Sequence, residues 1–144
     1  MSTTVKLPDD LMNQLNTFDK NTDEIVGKAL TAGAKIAEAR VRKNLNAVLS
    51  GESSGQLQRS LGVSPVKIGG KNLSPSVRVG FAEPRRDGKA NAMVANILEY
   101  GSKKHNQSAK PFMKPAADST KSAAKAEIRR VFDEEAKKYL KMKG

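Results

Sequence analysis

No cysteine occurs in this chain of 144 residues, which removes disulfides, thiolate metal sites and cysteine nucleophiles together and fits assembly in a reducing place such as a cytosol. Tryptophan is absent too, and two tyrosines and four phenylalanines are the only aromatics. That leaves no interleaved aromatic platform on which single-stranded bases could stack. The one histidine, His105 in "KKHNQS", has no second histidine to form a metal set and no His-Glu-x-x-His spacing around it. It reads as a loop histidine, and no metal is expected. Long apolar runs are missing as well. No stretch is long enough to cross a bilayer, and "MSTTVKLPDDLMNQL" lacks the basic and apolar regions of an export signal, so the chain reads as a soluble protein.

Catalytic patterns are equally scarce. "GGK" at 69–71 and "GK" at 88–89 both lack the upstream glycine of a phosphate-cradling loop, so no nucleotide and no other cofactor is expected. The carboxylate clusters, Asp9–Asp10 and Asp133–Glu135, are local in sequence and suit helix surfaces better than a sheltered acid–base pair. Serine is plentiful, but no Gly-x-Ser-x-Gly elbow exists. No catalytic residue is assigned, and the chain is not expected to be an enzyme.

What the sequence does contain is positive charge: 26 Lys and Arg against 15 Asp and Glu, a net +11. Such an excess implies either an anionic partner or lysine-rich faces that are merely solvated. The densest cluster runs from Arg85 to Lys114, with Arg85, Arg86, Lys89, Lys103, Lys104, Lys110 and Lys114 against Asp87 and Glu99 alone. Arg85, Arg86, Lys89, Lys103 and Lys104 are candidate phosphate contacts, of the salt-dependent and sequence-blind kind. Without a helix-turn-helix, zinc-finger or RNA-binding signature, base-specific readout is not expected. A small basic protein that binds nucleic acid non-specifically is the alternative reading of the chain.

Residues 7–18, "LPDDLMNQLNTF", predict a short helix, with Pro8 in a first turn and Asp9 and Asp10 at its positive end. Residues 1–20 are taken as an N-terminal arm, and 21–144 as one α+β domain, a length that can bury one real core. From Thr22 to Leu49, apolar residues at three- and four-residue steps predict one long amphipathic helix. Lys28, Lys35 and Arg42 fall on its outer face, and Glu24–Lys28 and Glu38–Arg42 are spaced for helix salt bridges. At roughly 40 Å it is long for so small a domain, so part of it is expected to lean on another subunit.

"SGESSG" breaks that helix, and the period then changes. Leu61, Val63, Val66 and Ile68 predict one strand interrupted at Pro65, an edge or bulge signal, and Val77, Val79 and Phe81 predict another. Residues 92–100 predict a short helix ended by Gly101, and a second long helix runs from Pro115 to about Leu140. The expected architecture is α+β: two long amphipathic helices packed on a small antiparallel sheet, with a short helix before a projecting loop.

Three motifs in this order resemble one family. "SSGQLQRSL" (53–61) is similar to the Thr-Gly-x-Leu-x-x-Ser-(Ile/Leu) signature of the gene-ten-like tail-completion, or neck, proteins of long-tailed phages. "LEYGS" (98–102) and "PFMKPA" (111–116) resemble that family's Glu-Phe/Tyr-Gly element and its Pro-Phe-(Leu/Met)-x-Pro-Ala start of the last helix. The resemblance spans roughly residues 20–140. Ser54 stands where the family more often has threonine, and the Arg85–Lys89 loop is longer and more basic than the family pattern.

The resemblance implies a virion structural protein without catalytic activity, present in the host cytoplasm during assembly and then in the neck. It implies a ring of copies, taken as a hexamer, at the head-proximal end of the tail. Its partners would be a head-closure or connector protein on one side and a tail-tube or tail-terminator protein on the other, with transient non-specific DNA contact and no membrane. Under the resemblance Glu99, Tyr100, Gly101, Pro111, Phe112 and Pro115 become candidate loop anchors or ring contacts. Tyr100 and Phe112 are expected to pack on the long helix, Gly101 to make the turn, and the two prolines to fix the chain's exit, holding 102–110 out towards a neighbour.

Overall fold

A computed structural model of the chain describes residues 2–12, 22–49, 55–68, 75–82, 91–104 and 106–143. Its elements are β1 (Ser2–Lys6), α1 (Asp9–Met12), α2 (Thr22–Val48), α3 (Gln56–Ser60), β2 (Leu61–Val63), β3 (Ser76–Phe81), α4 (Asn91–Tyr100) and α5 (Met113–Lys143). The fold is α+β, with a three-stranded antiparallel sheet in the order β1-β3-β2.

α2 buries Ile25, Val26, Ala29, Leu30, Ala34, Ala37, Val41 and Leu45, the three-and-four spacing read from the sequence. α5 covers this buried face from within the chain. α5 runs antiparallel along α2, and three contacts fix the direction. Lys28 Nζ lies 3.3 Å from Glu135 Oε2, Gly33 faces Ile128, and Asn44 Nδ2 donates to the Phe112 carbonyl at 3.2 Å. At Gly33 the backbones come close: a Cβ there would stand 2.5 Å from Ile128 Cγ1 and 3.1 Å from the Ala124 carbonyl oxygen. The missing side chain sets the interhelical distance.

The sheet lies against α2 through Val77 and Val79 of its central strand, both buried, while Arg78 between them is exposed. β2 pairs from Leu61↔Phe81 to Val63↔Val79. After it the ladder breaks: the Ser64 hydroxyl accepts from the Arg78 amide at 2.9 Å, and pairing resumes only as a single bridge, Lys67↔Ser76. Pro65 has no N–H to donate, so the interruption and the edge position follow the sequence expectation.

Two elements, β1 and α3, differ from that expectation. Residues 2–6, assigned to an arm, form β1 and pair with β3 from Ser2↔Gly80 to Lys6↔Ser76. Two threonines and a valine in five residues favour the pleated surface, and Leu7 and Leu11 just beyond are buried in the core. Of the helix expected at 7–18, Asp9–Met12 is described; residues 13–21 lie outside the described residues. α3 was not anticipated because five residues are too few to show a period.

Arg42 also departs from its expected outward position. It is half-buried, and its guanidinium donates to the Gln58 carbonyl at 2.9 Å and the Leu61 carbonyl at 3.3 Å, tying α2 to the α3–β2 junction. The helix pairs Glu24–Lys28 and Glu38–Arg42 do form, at 3.3 and 3.5 Å. Among the described residues no helix is long and apolar enough to cross a membrane.

Replacing Gly33 by valine is expected to cost about 1–3 kcal/mol, read as a lower thermal midpoint. Adding Ile128→Ala should make the double variant lose less than the sum of the single ones. A second prediction concerns α1, whose Asp10 pairs with Arg129 of α5. The hydrogen bond from Arg129 holds the Asp10 carboxyl below its ordinary value. Any stability from this pair is therefore present above the ordinary carboxylate range and lost as pH falls through the depressed value. A native-state NMR titration should show the Asp10 midpoint rising in Arg129→Ala.

Candidate interface at the start of the last helix

α4 is fastened at both ends. At its start Asn91 is buried and its Nδ2 donates to the Ala82 carbonyl at 2.6 Å, just past β3. At its end Gly101 takes φ 78°, and its N–H returns to the Ile97 carbonyl at 2.7 Å. A Cβ at Gly101 would stand 2.9 Å from both the Ala109 nitrogen and the Gln107 oxygen. Glycine is thus required twice, for the left-handed turn and for space.

The loop that follows is closed on itself. Ser102 and Gln107 exchange backbone hydrogen bonds of 2.8 and 2.9 Å, and the Lys110 amide donates to the Leu98 carbonyl at 2.7 Å. Residues 101–110 therefore leave α4 and return to it within a few ångströms. Lys103, Lys104, Asn106 and Lys110 are exposed on this loop.

The return is held by Glu99. Its side chain is 2% exposed. Oε1 accepts the amides of Phe112 at 2.9 Å and Met113 at 2.7 Å, and Oε2 that of Lys114 at 3.4 Å. These N–H groups open α5, where they have no partner within the helix and lie at the positive end of its dipole. A carboxylate from α4 thus caps α5 across the loop, and the charge that burial would penalise is offset by charge-assisted hydrogen bonds. Pro115 sits in the same first turn, where a missing N–H costs nothing.

Phe112 anchors the other side. It is fully buried, meets Phe81 edge to face at a centroid distance of 6.1 Å, and its carbonyl takes the hydrogen bond from Asn44. Tyr100 does not join it. The buried face of α4 runs through Ala95, Leu98 and Glu99, and Tyr100 falls on the opposite side, 65% exposed. The expectation that Tyr100 packs on the long helix is corrected accordingly.

Glu99, Gly101 and Phe112 thus come together in one anchor, while Tyr100, Lys103, Lys104, Pro111 and Pro115 are exposed around it. Arg85, Arg86, Lys89 and His105 lie outside the described residues. Sequence reasoning missed the capping role of Glu99, because a carboxylate so far upstream of its helix obeys no capping-box spacing. It also missed Asn44 and Asn91. Among the described residues every buried side-chain nitrogen and oxygen has a hydrogen-bond partner, and no group of three His, Cys, Asp or Glu is placed to hold a metal ion.

A sequence model of the HK97-gp10-like family, described as "Bacteriophage HK97-gp10, putative tail-component", matches residues 9–101. The span takes in α1 to α4, with Glu99 and Gly101, and stops before Phe112. Comparison with curated proteins and with solved structures gives no match.

Glu99→Ala leaves the opening amides of α5 unpartnered and is expected to cost about 2–4 kcal/mol in chemical denaturation. Glu99→Gln, which keeps an acceptor oxygen but loses the charge, should cost less.

Proposed function

The chain belongs to the HK97-gp10-like family of bacteriophage tail components, and on that premise we propose that it is the neck or tail-completion protein of its particle. In this reading copies of the chain form a ring at the head-proximal end of the tail and join tail to head. The observation that carries it is the mounting of the 101–110 loop. A buried carboxylate and a buried phenylalanine hold both ends, so the loop is presented at little further conformational cost when a partner binds. Its exposed lysines then meet an acidic surface on a neighbouring ring.

Glu99, Gly101 and Phe112 act in this reading as positioning residues, with Pro111 and Pro115 bordering them. A second reading rests on the same exposed Lys103 and Lys104, which could also touch DNA phosphates as the genome passes. Duplex binding would then fall steeply with rising salt, and removing the lysines would flatten that dependence.

The triple variant Lys103→Ser, Lys104→Ser, Lys110→Ser changes exposed loop positions only. Its stability is expected to stay within about 0.5 kcal/mol of the parent. In an assembly assay, joined particles should fall by at least about tenfold, the effect of roughly 1.4 kcal/mol of contact, with separate heads and tails accumulating. Joining at parental yield overturns the reading.

A further inference from the structure

β1 has a free edge. Ser76 of β3 exchanges two backbone hydrogen bonds of 2.8 Å with Lys67 on the β2 side, and the Arg78 carbonyl accepts from the Ser64 amide at 2.8 Å. Ser76 and Arg78 thus face β2. Their partners in the other ladder, Lys6 and Thr4, therefore turn their own N–H and C=O groups away from β3. Among the described residues nothing bonds to these groups. Unpaired donors and acceptors at strand spacing are a template for a further strand.

The edge opens into a groove of about 280 Å³. Thr3, Thr4, Val5 and Lys6 line one wall. Neighbouring side chains of a strand point to opposite faces, so a wall of consecutive residues is the edge itself. Facing it are Ala117, Ala124 and Ile128 of α5, with Ala37 of α2 beside them. The Thr120 hydroxyl on that wall donates to the Ala116 carbonyl of its own helix at 2.7 Å. The groove has a cause in the dimensions of the two layers. Two helices side by side span roughly 20 Å, three strands span about 14 Å, and α5 reaches the sheet at β1. The space left beside β1 is about one strand wide.

The charges around the groove are Lys6, Lys121, Lys125 and Asp118, all exposed and in no ion pair among the described residues. With Asp118 set against one lysine, two positive charges remain. Arg129, further along α5, is already matched by Asp10. We infer that the groove receives an extended, acidic segment of a different protein, which adds to β1 as a fourth strand. Its small apolar side chains face the alanines, and its carboxylates lie among the three lysines. Main-chain bonds supply affinity in such strand additions, and side-chain contacts supply selection. A second copy does not suit the groove. Its β1 carries a lysine and no acid, which brings like charge to the edge. Its β2 is three residues long, and the Leu61 carbonyl there is already bonded to Arg42. The contact goes beyond the neck reading, because it gives the chain a protein partner away from the 101–110 loop.

The probe is the capped peptide Thr-Val-Glu-Val-Glu-Val-Thr, with Thr-Val-Lys-Val-Lys-Val-Thr as its charge counterpart. In the free full-length chain, amide exchange followed by NMR should be fast at Thr4 and Lys6 and slow at Thr3 and Val5. Adding the acidic peptide should slow Thr4 and Lys6 by about tenfold or more, and that peptide should bind at least about tenfold more tightly than the basic one at low salt. Thr4→Pro removes one outward N–H and leaves the bonds of Thr3 and Val5 to β3 in place. It should weaken binding by about tenfold or more with unchanged melting. Lys121→Glu with Lys125→Glu changes the helix surface and leaves the strand alone, and it should reverse the preference between the peptides. No binding of the acidic peptide up to about 1 mM, or equal binding of both peptides, overturns the proposal. Dimerisation of the parent chain that Thr4→Pro abolishes also overturns it, and assigns the edge to a second copy.

Discussion

Three backbone amides at the start of α5 point at one carboxylate, and the geometry around the candidate interface depends on that meeting. The amides of Phe112, Met113 and Lys114 have no helical partners of their own, and Glu99 answers them from α4. Because the bond is made across a loop, it does two things at once: it stabilises the beginning of a long helix, and it fixes where α4 ends relative to it. Gly101 is then forced to turn left-handed in a space too tight for a Cβ. The base of the loop is held from both sides, by Ser102 and Gln107 and by the Lys110 amide on the Leu98 carbonyl.

The helix hairpin carries this arrangement. α2 and α5 approach at Gly33 closely enough that Ile128 lies where a side chain would be, and Asn44 reaches from α2 to the Phe112 carbonyl. Phe112 thus belongs to the core by its ring, to α2 by its carbonyl and to Glu99 by its amide. It joins the packing of the two long helices to the base of the loop. The sheet contributes Phe81, which closes the other side of the phenylalanine.

Much of this was legible from residues alone, for physical reasons that vary by element. α2 and α5 were long enough for the 3.6 period to repeat many times, and Val77, Val79 and Phe81 alternated without interruption. Pro65 announced the break in β2 because proline lacks an N–H. β1 and α3 were too short for a period, and the pairing of β1 with β3 depends on residues some seventy positions apart. Glu99 was singled out by its place in "LEYG", but its function as a cap depends on a fold that brings α5 back to it. Tyr100 was misplaced for a related reason: its side of α4 is decided by which neighbours the helix buries, and ten residues with apolar groups on both faces leave that open. The family match covers residues 9–101 and so includes Glu99 and Gly101, and the further contacts of the loop are argued from its geometry.

The central claim is that a loop held at its base by Glu99 and Phe112 is a contact surface in the assembled particle. A cryo-electron-microscopy map of the intact neck, resolved well enough to trace side chains, tests it most directly. The account predicts residues 101–110 covered by another chain, with the Glu99 carboxylate still on the amides of Phe112 and Met113. A loop that remains in solvent on all sides, or a Glu99 released from α5 in the particle, contradicts it.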